Sequence, residues 1–269
     1  MSEENQRVKI EYQDNIAIVS LNRGNKYNAL DMAMFDAIVG AVNTLKQNRE
    51  VRAVILKGEG KGFCAGLDMV SVMKNPLNVP TLLKKEDGVI SNLAQDVGYL
   101  WRSVPVPVIA VTHGSCFGGG MQIALGADFR YSTPDCRFSI MEAKWGLIPD
   151  MSLSVTLREL TRIDVAKELT MTGRVFEAPE AYELGLVTKV CDDPFEQAMV
   201  FAQSLVPRSP DAVMYAKKLF NDSWVSDDKS ALDFETRYQK KLLGRWNHLV
   251  TASRNFFKSP LKHKNRGQG

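Results

Sequence analysis

The chain has 269 residues, of which 45% are hydrophobic and 24% charged, and its formal net charge is +3. This length can bury a substantial core, as one large domain or a domain with a smaller appendage, and the composition excludes a disordered or fibrous protein. So small a charge does not by itself argue for nucleic acid, and no run of about 18 apolar residues argues for a membrane span.

The start, MSEENQRVKIEY, is acidic and polar where a secretory signal needs a basic end followed by an apolar stretch. Cys64, Cys116, Cys136 and Cys191 are widely spaced, without a CxxC pair or a nearby histidine cluster. That pattern fits reduced thiols in a cytoplasm and no metal site.

Short β-branched runs at 16–21 (IAIVSL), 53–56 (AVIL) and 106–111 (VPVIAV) are predicted as buried strands. Between the first two, Asp31 is a plausible N-cap. Phe35, Ile38, Val42 and Leu45 recur at spacings of three and four and give one apolar helix face to lay on a sheet. Strands alternating with amphipathic helices make an α/β fold. After about residue 200 the pattern turns helical, with Ser209 and Pro210 as a helix start, and Leu242, Leu243, Trp246, Leu249, Phe256 and Phe257 give that region much apolar surface. We therefore divide the chain into a mixed core, 1–200, and a helical C-terminal region, 201–269, packed together without a low-complexity linker. The basic residues Lys258, Lys262, Lys264 and Arg266 read as a solvated tail.

Two strands run into glycine turns of similar design, AVILKGEGKGFCAGLD at 53–68 and VIAVTHGSCFGGGMQIAL at 108–125, a weak internal repeat. Glycine lets a backbone approach a ligand closely. Three glycines at 118–120 before an apolar run place free N–H groups and a positive dipole end at a helix start. The turn lacks the GK[ST] ending of a phosphate-binding loop and does not match GxGxxG, so nucleotide binding is not indicated. Taken alone it reads first as a tight strand-to-helix turn without a ligand.

Four segments in order, NKYNALD (25–31), GFCAGLDM (62–69), HGSCFGGGMQIALGADFRYSTPDCRFSIMEAKWGLIPD (113–150) and TGRVFEAPEAYELGLVTKV (172–190), resemble the enoyl-CoA hydratase/isomerase, or crotonase, superfamily. The resemblance implies a crotonase-like spiral of ββα repeats with C-terminal helices that build a trimer or hexamer. It implies an acyl-CoA substrate, CoA being part of the substrate rather than a cofactor, and an oxyanion hole made by the N–H groups of Leu67 and Gly119. Each donor of that kind is worth roughly 3 to 4 kcal/mol to an enolate-like oxygen. Lys26, Ala29 and Ala65 are implied in CoA binding, with Phe257 and Lys258 reaching it from an adjacent subunit.

The same resemblance assigns the acid–base positions to Gln122, Glu142 and Asp150. Hydratases of the family have glutamate where this chain has Gln122, and a neutral amide takes no proton at neutral pH. Glu142 stands where family isomerases carry their proton shuttle, and Asp150 where the dienoyl-CoA isomerase branch has a second carboxylate. That branch also has aspartate at the position of Gln122, so the match is incomplete. An isomerase is favoured; a hydratase that tolerates Gln122 and a non-catalytic acyl-CoA binding protein are the alternatives. Read without the resemblance, Gln122 is a helix-capping residue, Asp150 a turn residue after proline, and His113 a structural histidine. Cys64 and Cys116 are then small packing residues. Phe138, Trp145, Met121, Met141 and Met151 line an acyl channel or fill the core.

Overall fold

The computed structural model describes residues 6–269; residues 1–5, the polar start noted above, lie outside them. β1 (Val8–Gln13), β2 (Ile16–Leu21), β3 (Ala53–Gly58) and β4 (Val108–Thr112) are followed by the shorter β5 (Ser115–Phe117), β6 (Phe129–Ser132) and β7 (Arg137–Ser139), and the series closes with β8 (Phe176–Glu177) and β9 (Lys189–Val190). Six of these form one sheet in the order β1-β2-β3-β4-β6-β9, antiparallel at the β1–β2 hairpin and parallel beyond it. The remaining three form a second sheet in the order β5-β7-β8.

The glycine turns explain why there are two layers. Each long strand passes through a turn into a short extended stretch of the second layer and then into a helix. β2 leads through Leu30 to α1 (Met32–Gln47), β3 through residues 64–67 to α2 (Met69–Met73), and β4 through β5 to α5 (Gly119–Leu125), with α3 (Asn78–Leu83) and α4 (Leu93–Tyr99) lying between the last two units. Single bridges Leu30↔Leu67 and Cys64↔Cys116 join successive turns of this winding. This is the spiral of ββα units that the resemblance implies.

Strand alternation settles which residues meet which helices. Ala17, Val19, Val54, Leu56 and Ala110 face α1, where Phe35, Ile38, Val42 and Leu45 are buried on them. Ile16, Ile18, Ile55 and Ile109 face the other way, onto Ala198, Met199 and Ala202 of a later helix, α9 (Pro194–Leu205). The start of α1 is as expected: the Asp31 carboxylate accepts the Met34 N–H at 2.9 Å.

Between the sheets and α9, the chain forms α6 (Leu153–Thr156), α7 (Ile163–Thr172) and α8 (Ala178–Glu183). α10 (Pro210–Ser223), α11 (Asp228–Leu242) and α12 (Trp246–Phe257) follow α9, and Ser209 caps α10 by accepting the Ala212 N–H at 3.3 Å. Position 200 falls inside α9, which belongs to the sheet because its buried face completes the second core.

One expectation is corrected. The basic end is not wholly a solvated tail, because Arg266 is 4% exposed and donates to the carbonyls of Val51, Lys46 and Asn48 at the end of α1. Its neighbour Gly267 donates to Asp211 at 2.7 Å, and Asp211 also accepts from Asn247. Carbonyls left free at a helix end attract a guanidinium, and this outweighs the hydration that a run of charges normally retains.

Candidate active site

Asn28 shows how the NKYNALD segment serves the first glycine turn. It is fully buried at φ 55°, its Oδ1 accepts the Arg23 N–H at 2.8 Å, and its Nδ2 donates to the carbonyls of Glu59, Gly62 and Phe63. Arg23 in turn reaches Asp68 at 2.8 Å and Asp31 at 3.5 Å, so one guanidinium joins the start of α1 to the start of α2. The Ala65 N–H donates to the Tyr27 carbonyl at 2.9 Å. Sequence reasoning missed both Asn28 and Arg23, although a polar asparagine between Tyr27 and Ala29, leading into an apolar helix, is the kind of residue that organises a turn.

The two turns lie directly on one another. The Cys64 N–H donates to the Ser115 carbonyl and the Phe117 N–H to the Cys64 carbonyl. Gly66 sits at φ +90°, where an L side chain is strained, and a Cβ there would stand 2.9 Å from the Phe117 carbonyl oxygen and 3.4 Å from the Gly119 nitrogen. The N–H groups of Leu67 and Gly119 therefore come together at the rim of one cavity, and neither donates to a partner among the described residues. Burial pushes the Cys64 thiol up to about 12, which makes it an inert packing residue, as expected.

That cavity, about 240 Å³, is bounded by Leu67, Gly119, Met141, Glu142, Asp150 and Met151, among others. Glu142 opens a 3₁₀ turn, Glu142–Trp145, and its Oε1 accepts from the Gln122 amide at 2.7 Å. Its Oε2 is buried and has no partner among the described residues. Burial raises the Glu142 carboxyl above the ordinary glutamate range, and the nearby Asp150 charge adds to this. Hydrogen bonds from its own backbone N–H and from Gln122 pull the other way. Asp150 is exposed as a residue, yet partial desolvation of its carboxyl raises it as well.

Gln122 does not cap α5. It is fully buried, and its Oε1 accepts the Met151 N–H at 2.9 Å while its Nε2 holds Glu142, so both ends of the amide are engaged. Met141, Trp145 and Met151 line the cavity, whereas Phe138 and Met121 are core. His113 is structural, its Nε2 lying 2.9 Å from the Gly60 carbonyl. Ala65 borders the cavity; Lys26, Ala29, Phe257 and Lys258 do not, and the last two stand at the far end of α12. Among the described residues no cluster of histidine, cysteine or carboxylate side chains is assembled to hold a metal ion. No helix among them is long and apolar enough to cross a membrane.

The wound ββα core with two free N–H groups on the same cavity as a half-buried carboxylate defines the class, and comparison with known proteins agrees. The profile of the family described as enoyl-CoA hydratase/isomerase matches residues 11–254, and the chain belongs to that family. The chain is 32% identical over 232 residues to the short-chain-enoyl-CoA hydratase of Clostridium acetobutylicum, covering 85% of this chain and 86% of that protein. It is 31% identical over 217 residues to the human mitochondrial delta(3,5)-delta(2,4)-dienoyl-CoA isomerase, covering 76% of this chain and 65% of that protein. The crystal structure of an enoyl-CoA hydratase from Bacillus anthracis superposes with a TM-score of 0.88 at 26% identity, covering 96% of this chain and 99% of that one.

Proposed function

We propose that this chain is an enoyl-CoA double-bond isomerase. An acyl-CoA thioester enters the cavity with its oxygen between the N–H groups of Leu67 and Gly119, and Glu142 moves a proton from one carbon to another. The observation that carries this reading is the state of the two polar side chains at the 122 and 142 positions. Gln122 has both amide ends engaged, and Glu142 has one oxygen fixed and the other, Oε2, buried and unpartnered. Isomerisation needs charge stabilisation on the oxygen as the α-proton leaves, together with one carboxylate used twice, first as base and then as acid. Hydration needs a second group to activate water, and Gln122 cannot serve.

A hydratase remains the second reading because Asp150 borders the same cavity as Glu142 and its carboxyl is also raised. In that reading Asp150 supplies the base that Gln122 lacks. A non-catalytic acyl-CoA binder would have no use for a carboxylate with one oxygen buried and unpartnered, an arrangement whose desolvation is costly. CoA is part of the substrate, and no further cofactor enters the reaction. Lys26, Ala29 and Ala65 hold the CoA arm, assisted by Phe257 and Lys258 of an adjacent subunit. The exposure of Leu243, Leu249, Phe256 and Phe257 supports a trimer or hexamer in which the region after residue 200 provides the contact, and the site of action is the cytoplasm.

The deciding experiment is a paired spectrophotometric assay on crotonyl-CoA and on a 3-enoyl-CoA. Isomerisation of the 3-enoyl-CoA with slow hydration of crotonyl-CoA is expected. Fast hydration without isomerisation overturns the reading in favour of the hydratase, and silence on both and on a dienoyl-CoA, with CoA binding intact, favours the non-catalytic binding protein.

A further inference from the structure

A second cavity, about 450 Å³, lies beside the first between α4 and the segment 148–158, and Ile148 and Asp150 border both. Its walls are mixed. Ile90, Pro149 and Val155 give it apolar surface, while Gln95, Tyr99 and Arg158 bring hydrogen-bond donors to it. What distinguishes these donors is that the protein does not use them. Arg158 belongs to the 3₁₀ turn Leu157–Glu159, and its neighbour Glu159 is held by Arg102 at 2.6 and 3.0 Å, but no ion pair or hydrogen bond engages Arg158 among the described residues. Nor does any engage the Tyr99 hydroxyl. Gln95 gives its Oε1 to the Asn92 N–H at 3.0 Å as part of a capping box, which leaves its NH₂ free. The Ser91 hydroxyl, by contrast, is already committed to Asp96.

Unengaged donors, one a guanidinium, around a cavity that shares Ile148 and Asp150 with the thioester site call for an acceptor on the ligand. Asp150 stands at the junction, so a negative group close to the thioester is repelled and one at the far end is drawn to Arg158. Resting on the acyl-CoA reading above, we propose that the preferred acyl group carries a carboxylate at the end remote from the thioester, bound by Arg158 with Tyr99 and Gln95. Guanidinium and carboxylate match in a two-point, charge-assisted pair. An alkyl chain of equal length would displace water from Arg158, Tyr99 and Gln95 and offer them nothing, and this is how a polar pocket rejects an apolar analogue.

Calorimetry with two thioesters of equal carbon number, glutaryl-CoA and pentanoyl-CoA, tests this without depending on turnover. Wild-type protein is expected to bind glutaryl-CoA about ten- to a hundredfold more tightly, the range of a charged hydrogen bond. Arg158→Gln, a change at an exposed position, is expected to remove that preference to within about threefold while leaving pentanoyl-CoA affinity unchanged. Equal or tighter binding of pentanoyl-CoA by the wild type overturns the proposal, as does a preference that survives in Arg158→Gln. Binding of both thioesters without discrimination leaves the acyl-CoA reading standing and the proposal rejected. Binding of neither removes both.

Discussion

The two sides of the first cavity are built by opposite means. The side made by residues 62–67 and 115–120 is buried and cross-bonded backbone, packed so closely that a Cβ added to Gly120 would lie 2.7 Å from the Cys64 Cβ. The side made by residues 141–150 is an exposed segment in which Trp145 is 64% and Ile148 77% accessible, and the carboxylate of Glu142 is tied to the core by the side-chain amide of Gln122. The first side is specified by the core itself and cannot vary without unfolding something. The second is attached to that core through Gln122, and its chemistry can change by exchanging a few residues that nothing else depends on.

The contrast can be broken from either side. The largest effect is expected from Glu142→Gln, which keeps an acceptor for the Gln122 amide but removes the proton carrier. Isomerase turnover should fall by about a hundredfold to ten-thousandfold with acyl-CoA binding retained, as steady-state rates beside a binding titration would show. The same variant should be slightly more stable than wild type at neutral pH. Because the folded carboxyl is raised, its contribution to stability is complete at low pH and lost as pH rises through the folded value, so the ionised form is the unfavourable one at pH 7. On the rigid side, Gly120→Ala should cost about 1 to 3 kcal/mol in urea denaturation and depress activity with it, since the new methyl group meets Cys64 backbone that cannot yield. Asn28→Ala strands one N–H and three carbonyl partners and should cost a comparable 1 to 3 kcal/mol, again by urea denaturation. The smallest change belongs to Asp150→Asn: removing a negative neighbour lowers the Glu142 carboxyl, so the acidic limb of the isomerase pH–rate profile should move to lower pH by a fraction of a unit. A limb that does not move would separate Asp150 from the site electrostatically.

Much of the fold is legible in sequence. β2 spans the residues predicted, and α1 starts at the predicted cap and buries the predicted stripe. The strand expected over 106–111 is observed over 108–112, displaced because Pro107 has no N–H and enters the ladder only by accepting from Val54. Asp193 and Pro194, a cap and a first-turn proline, mark the start of α9, whereas the helical pattern after residue 200 begins within that helix. Of the site, Glu142 and Asp150 are found at the cavity. The working partnership of Gln122 with Glu142 and Met151 is not legible, because it joins residues 20 and 29 positions apart through a turn whose path no local pattern states. Asn28 and Arg266 fail for a related reason: composition treats asparagine and arginine as surface residues, and only the geometry reveals carbonyl groups waiting to be satisfied.

The contacts of Arg266 with Lys46, Asn48 and Val51 span 220, 218 and 215 residues of chain. Closing a loop of that size is entropically little worse than closing one half as long, but it can occur only after the intervening core has brought the two ends near each other. This corner should therefore form after the folding transition state. Its strength is then expressed in how slowly the folded protein opens, and Arg266→Ala should speed unfolding in stopped-flow kinetics while leaving the refolding rate almost untouched.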